Sequence, residues 1–218
     1  MIGITLAERR WLPDSLIRCG IRRLLHRRLN DLQLQYQHPD ATANMVAMLR
    51  ESPLAVETAA ANKQHYEVPA QFYQRVLGPR MKYSACLFHS AESPLADAEE
   101  AMLQLTCDRA SMQDGMNVLE LGCGWGSLSL WLAEHYPNSR ITAVSNSTSQ
   151  KQFIDQQAAV AGLSNLNVIT ADMRDFQTSH QYDRIVSVEM FEHMRNYERL
   201  LHQAAQWLRS DGQMFVHI

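Results

Sequence analysis

The chain has 218 residues, of which 46% are hydrophobic and 20% charged, with only 9 Gly and 7 Pro. That is the composition of a globular protein with enough apolar mass for a core, and it excludes collagen-like, mucin-like and wholly disordered chains. The net charge of −3 is uneven: residues 1–30 hold seven Arg against two acids, which leaves an acidic body and excludes a dedicated nucleic-acid binder.

Mean hydropathy is −0.29, and no apolar run reaches the length that crosses a bilayer. The start, MIGITLAERRWLPD, places Glu8, Arg9 and Arg10 where a signal peptide would carry its apolar stretch, so no secretory signal is expected. Cys19, Cys86, Cys107 and Cys123 form no C-x-x-C pair, and the nine His form no H-x-x-x-H. Zinc and disulfide frameworks are therefore unsupported, no metal is expected, and a reducing cytoplasm is the expected compartment.

Residues 14–36 read as a basic amphipathic helix. Ile17, Ile21, Leu24, Leu25 and Leu32 recur at helical spacing, opposite Arg18, Arg22, Arg23 and Arg27, with Arg28 intruding on the apolar stripe. The plainer reading is a helix packed on a neighbour with a solvated cationic face; the sharper one is peripheral contact with an anionic membrane surface. HPDATAN (38–44) breaks this helix, and a second helical run reaches about Arg50. A short helix over Pro69–Leu77 stops at Gly78-Pro79. Ser93-Pro94 then opens another, with Ser93 as N-cap, Pro94 at the first helical position, and Ala98, Ala101, Met102 and Leu105 as its buried face.

From residue 115 strands and helices alternate. NVLEL (117–121), RITAV (140–144), LNVIT (166–170), DRIVSV (183–188) and GQMFVHI (212–218) read as strands, with helices over 126–135, 148–161 and 197–209 between them. Crossovers of that length predict a parallel sheet covered on both faces. The chain stops on the last apolar residue of the fifth strand, so a truncated form of something longer is expected. The domain reading is a helical cap over 1–60 followed by a ligand-binding α/β domain over 61–218.

Two segments carry chemistry. In Glu120-Leu121-Gly122-Cys123-Gly124-Trp125-Gly126 a strand runs through G-x-G-x-G into a helix, where bare backbone lets a ligand approach the carboxyl edge of the sheet and any Cβ would occupy ligand space. The spacing is one residue short of the dinucleotide fingerprint, and the second strand ends in Ala143-Val144-Ser145-Asn146 with no acid. Both features favour a nucleoside without pyrophosphate over a nicotinamide cofactor. Glu189-Met190-Phe191-Glu192-His193 follows the fourth strand. Two acids and a His there are costly to desolvate unless they serve a ligand, the blander reading being an acidic first turn of a helix.

Together, ELGCGWGSLSLWLAEHYPNSRITAVSNSTSQ, HYEVPAQFY, KYS and SVEMFEHMRNY resemble the S-adenosylmethionine-dependent methyltransferases of the cyclopropane-fatty-acid synthase superfamily, and within it the coclaurine N-methyltransferase branch. The resemblance spans nearly the whole chain. It implies an α/β class I (Rossmann-like) fold and S-adenosyl-L-methionine as cofactor. Gly122, Gly124 and Gly126 would pass under the methionine half, Glu120 would lie near its amino group, Tyr83 and Ser84 would cover its carboxylate, Ser145 and Gln150 would bind the ribose side, and Asp172 would lie by the adenine. Tyr83 and Trp125 are the aromatic faces available to the sulfonium, with helix-start packing the alternative for Trp125 and a turn cap the alternative for Asp172.

The resemblance also implies catalytic roles for Glu192, His193, Glu189, Tyr66 and His217. Departures from the synthases favour the amine branch: Ala85 follows Ser84 where they carry Cys, Glu189 stands where they carry a small residue, and MRNY is shorter than their loop. The expected reaction is methyl transfer to an amine nitrogen or, second, to an unsaturated lipid acyl chain. The alternatives are a non-catalytic cofactor-binding fragment and a nicotinamide-dependent reductase.

Overall fold

The computed structural model describes residues 2–56 and 69–218, and the chain divides into two compact units, 1–49 and 50–218. In the first, α1 (Ile2–Glu8) and α2 (Asp14–Tyr36) precede α3 (Ala41–Glu51), which runs across the division. Among the described residues none of α2 is fully buried: Leu16, Ile21, Leu24, Leu25, Leu29 and Leu34 are exposed, while Ile17 and Leu32 are half-buried. Among the described residues, no helix is long and apolar enough to cross a membrane.

The second unit is built on β1 (Asn117–Leu121), β2 (Arg140–Ser145), β3 (Leu166–Thr170), β4 (Tyr182–Val188) and β5 (Leu208–His217), all parallel, in the order β3-β2-β1-β4-β5. Strand alternation sends Val118 and Val186 to one face and Leu119, Leu121 and Ile185 to the other. On the first face they meet Leu103, Trp131 and Leu132; on the second, Leu200, Ala204 and Trp207. Each fully buried Leu or Ile contributes about 1.5–3 kcal/mol relative to exposure. Two covered faces thus explain why the strands read as continuous apolar runs rather than as an alternation.

Among the described residues the unit also holds α4 (Ala70–Val76), α5 (Leu95–Arg109), α6 (Ser127–His135), α7 (Thr148–Val160) and α8 (Tyr197–Trp207), the last before β5. The chain reverses its direction of growth across the sheet between β3 and β4. The loops at the carboxyl ends of β1 and β4 consequently diverge, and a crevice opens between them.

Three local expectations are corrected. Ser93 does not cap α5: Pro94 occupies the N-cap, while Ser93 Oγ accepts the Ser90 N–H at 3.1 Å and is committed to the preceding turn. The buried face of α5 is Ala98, Glu99, Leu103, Thr106 and Cys107, whereas Ala101, Met102 and Leu105 are only half-buried. The face is rotated because the Glu99 carboxylate turns inward to accept the Arg80 N–H at 2.9 Å and the Lys82 N–H at 3.0 Å. Finally, β5 begins four residues early. Leu208 pairs with Tyr182, the register slips, and pairing resumes at Gln213 opposite Arg184.

Candidate active site

A cavity of about 430 Å³ lies at the carboxyl edge of the sheet, walled by the loops after β1, β2, β3 and β4 and by residues 81–84. Its floor is the glycine turn. Gly122, Gly124 and Gly126 all have positive φ, at 81°, 52° and 80°, a region open to glycine at no steric cost. They are needed for different reasons. A Cβ on Gly124 would meet nothing within 4 Å, so the space above it is cavity, as the sequence reading requires. A Cβ on Gly122 would stand 2.7 Å from Met190 Cγ, and one on Gly126 2.5 Å from Ile154 Cγ1. These two glycines serve close packing of the turn against the protein, which corrects the expectation that all three clear ligand space.

Along the β2 wall, Ser147 caps α7 by accepting the Gln150 N–H, and Ser145 Oγ donates to Gln150 Oε1 at 2.6 Å. Among the described residues, Gln150 Nε2 is left buried with no partner, as is Ser127 Oγ at the start of α6, and both residues line the cavity. Unsatisfied buried polar atoms cost about 1–3 kcal/mol each, a cost that a ligand pairing with them in the cavity would remove. Asp172, after β3, also lines the cavity, but its carboxylate is engaged by Arg174: the N–H at 2.9 Å, Nε at 3.1 Å and Nη2 at 2.8 Å. It therefore both closes the turn and borders the cavity.

Trp125 is 3% exposed, packed at 5.1 Å from the Tyr73 ring and 5.5 Å from the Phe153 ring, and still lines the cavity. Tyr83 stands edge-on to Tyr73 at 5.4 Å and is half exposed. Trp125 thus packs against two rings and borders the cavity at once.

Glu120, on β1, is buried and accepts a hydrogen bond from Ser129 Oγ. Burial raises its pKa to about 7, against the opposing pull of Ser129 and of the Lys82 charge. Lys82 itself is buried and lines the cavity, with Nζ 2.6 Å from Ser84 Oγ. Burial lowers its pKa, while Cys86, Glu120, Glu189 and Glu99 pull the other way. Burial pushes the thiols of Cys86, Cys107 and Cys123 up, which makes them poor nucleophiles.

The opposite end of the cavity is acidic. After β4, Glu189 adopts φ 53°, a strained conformation for a residue with a Cβ, and its N–H donates to the His217 carbonyl at 2.9 Å. Glu189 shares a hydrogen bond with Glu192, which raises its pKa, with desolvation and the Glu192 charge acting in the same direction. His217 Nε2 lies 4.0 Å from Glu189 Oε1. Glu192 and His193 fall in a 3₁₀ turn, Phe191–His193, and both line the cavity. That turn is held from behind by Leu54, whose carbonyl accepts the Arg195 N–H at 2.9 Å, and by Asn196 Nδ2, which donates to the Arg50 and Ser52 carbonyls.

The family signature is matched by residues 55–218, under the description mycolic acid cyclopropane synthetase. The chain belongs to that family. It is 43% identical over 207 residues to the (S)-coclaurine N-methyltransferase of Thalictrum flavum subsp. glaucum, covering 94% of this chain and 57% of the relative. It is 33% identical over 157 residues to the cyclopropane-fatty-acyl-phospholipid synthase of Escherichia coli K12, covering 71% of this chain and 39% of the relative. The chain therefore spans about half the length of the curated relatives it matches. A crystal structure of coclaurine N-methyltransferase bound to N-methylheliamine and S-adenosylhomocysteine (SAH) superimposes with a TM-score of 0.85 at 39% identity, covering 98% of this chain and 62% of that one. The parallel sheet and its helices are the class I methyltransferase fold expected from the sequence.

In this member of the mycolic acid cyclopropane synthetase family, Tyr83, Ser84, Glu120, Gly122, Gly124, Ser145, Gln150, Asp172, Glu189, Glu192 and His193 line one cavity. Gly126 sits behind it as the N-cap of α6, and His217 reaches the site through Glu189. Tyr66 lies outside the described residues. Sequence reasoning missed Lys82, Ser127, Met190 and Arg195, which also line the cavity. The signal for Lys82 was its place directly before Tyr83-Ser84. Ser127 was marked by its place one residue after the glycine turn.

Proposed function

We propose that the chain binds S-adenosyl-L-methionine in this cavity and serves methyl transfer to an amine nitrogen. The observation that carries this reading is the joining of two unlike ends in one cavity: a glycine turn with unpaired hydrogen-bonding groups at Gln150 and Ser127, and the Glu189–Glu192–His193 cluster. The likeness to an N-methyltransferase over 94% of the chain supports the same choice. The cavity lining suits the cofactor: Gln150 and Ser145 would hold the ribose, Asp172 would lie by the adenine, Glu120 by the amino group and Trp125 by the sulfonium. When bound, the cofactor supplies the methyl group as an electrophile.

The chain's own residues would do the rest. Glu189 and Glu192 attract a protonated amine and hold its nitrogen on the cavity axis. His193 or Glu192 accepts the ammonium proton and so frees the lone pair for attack. His217, behind Glu189, favours the charged form of Glu189. Tyr66 keeps the catalytic role that the family resemblance implies for it. Peripheral contact with an anionic membrane is supported by the exposed apolar and Arg-rich faces of α2, and a reducing compartment fits the four free cysteines.

The test offers the chain isotopically labelled cofactor together with a panel of secondary amines and, separately, vesicles of unsaturated phospholipid. Label recovered on an amine nitrogen is expected. Label recovered only in the acyl chains overturns the amine reading in favour of cyclopropanation, and binding without transfer to either class leaves a non-catalytic binding protein.

A further inference from the structure

Lys82 is 5% exposed, and among the described residues its ammonium group has one recorded hydrogen-bond partner, Ser84 Oγ at 2.6 Å, and no ion pair. An ammonium carries three donors, and a charge buried with two of them idle is unfavourable. Three carboxylates, Glu120, Glu189 and Glu99, are near enough to favour its charge, yet none closes onto it as an ion pair. Glu99 is spent elsewhere, on the backbone N–H groups of Arg80 and of Lys82 itself. Glu120 is turned toward Ser129. Lys82 and Glu120 both line the cavity beside Gly122 and Gly124, so a buried cation and a buried carboxyl face the same space without neutralising each other directly.

Two opposite charges separated by a gap are the complement of a zwitterion. We infer that Lys82, together with Ser84, is the anion-binding half of a receptor for the α-amino acid end of the nucleoside, taking the α-carboxylate while Glu120 faces the α-ammonium. The inference rests on the proposed cofactor reading and adds the residue that selects for the carboxylate. It also accounts for the Glu99 contacts: by gripping two backbone N–H groups on either side of Met81, a residue at φ 53°, Glu99 fixes the turn that aims the Lys82 side chain inward.

The test is calorimetric binding of two ligands to the chain: SAH and its decarboxylated analogue, which keeps the amino group and lacks only the carboxylate. Wild-type chain is expected to prefer SAH by roughly 10- to 100-fold, the range of one charge-assisted hydrogen bond. Lys82→Met should lose that preference by weakening SAH alone, leaving the decarboxylated analogue unchanged or bound more tightly, since a repelling cation has been removed. Lys82→Arg should keep the preference. Equal weakening of both ligands in Lys82→Met, or no weakening of either, overturns the assignment. So does a wild-type chain that binds both equally, an outcome that needs no variant to fold. A wild-type chain that binds neither nucleoside overturns the cofactor reading itself, and this inference with it.

Discussion

Ser145 Oγ donates to Gln150 Oε1 at 2.6 Å, and this bond decides which end of the Gln150 amide is left over. With its oxygen held and its backbone N–H on Ser147 Oγ, Gln150 leaves a buried Nε2 with no partner beside the cavity. A donor kept dry and unpaired is a standing cost that only a ligand acceptor removes.

Gln150→Leu removes that donor at nearly the same volume. It should weaken SAH binding by roughly 3- to 10-fold, one neutral hydrogen bond, and change unfolding stability by less than about 1 kcal/mol. Calorimetric titration and a urea melt check both numbers. A variant that binds as well as wild type would show that Nε2 meets no ligand.

The three glycines should separate under alanine substitution. Gly122→Ala and Gly126→Ala push a methyl against Met190 and Ile154 at 2.7 and 2.5 Å and also strain a positive φ, so each should cost about 2–4 kcal/mol of stability. Gly124→Ala meets open space and bears only the φ penalty, about 1–2 kcal/mol, but its methyl enters the cavity. SAH affinity should therefore fall most, relative to stability lost, at Gly124. Thermal melts read beside binding isotherms for the three variants test this ordering.

The β1–glycine–α6 segment was legible because everything it needs is local: an apolar run, three glycines and a helix, in one stretch of residues. The acidic cluster was legible for the same reason, since Glu189, Glu192 and His193 lie within five residues. What escaped were side chains whose roles depend on distant partners. Lys82 points inward because Glu99, 17 residues on, holds its backbone N–H. The same contact rotated the buried face of α5, which apolar periodicity alone placed on Ala101, Met102 and Leu105. Ser93 reads as an N-cap until Ser90 claims its hydroxyl. In each case a hydrogen bond outside the pattern outweighed the pattern.

Glu120 should make both stability and binding depend on pH. Its folded pKa, raised by burial from an ordinary 4.5 to about 7, means that the folded chain holds this proton more tightly than the unfolded chain. Its favourable contribution is present below pH 4.5 and is lost as pH rises toward 7. Glu120→Gln should therefore gain stability over wild type across that window, levelling off at about 3–4 kcal/mol above it. An α-ammonium placed beside Glu120 favours its ionised form, so SAH binding near neutral pH should release a proton in wild type and not in the variant. Titrations in two buffers of different ionisation enthalpy measure that release. Equal proton counts in both chains would remove Glu120 from the contact.

At the other end of the cavity, Glu189 and Glu192 share a hydrogen bond that raises the Glu189 pKa, so Glu189 binds a proton more readily than an isolated carboxylate. If Glu192 receives the acceptor's proton or holds its ammonium, Glu192→Gln keeps the shape and removes the charge. SAH affinity should then barely change, because the substitution is at the acceptor end, while amine methylation falls by on the order of 10²–10⁴ fold. The rate should also climb more steeply with pH in the variant, which depends on solvent to deprotonate the amine before it binds. Were Glu192 only an acidic residue in a 3₁₀ turn, Gln would cost a few tenths of a kcal/mol of stability and leave turnover intact. Rate-against-pH curves for the two chains on one amine decide between these outcomes. A variant as fast as wild type at every pH would remove Glu192 from the proton path and leave His193 as its remaining base.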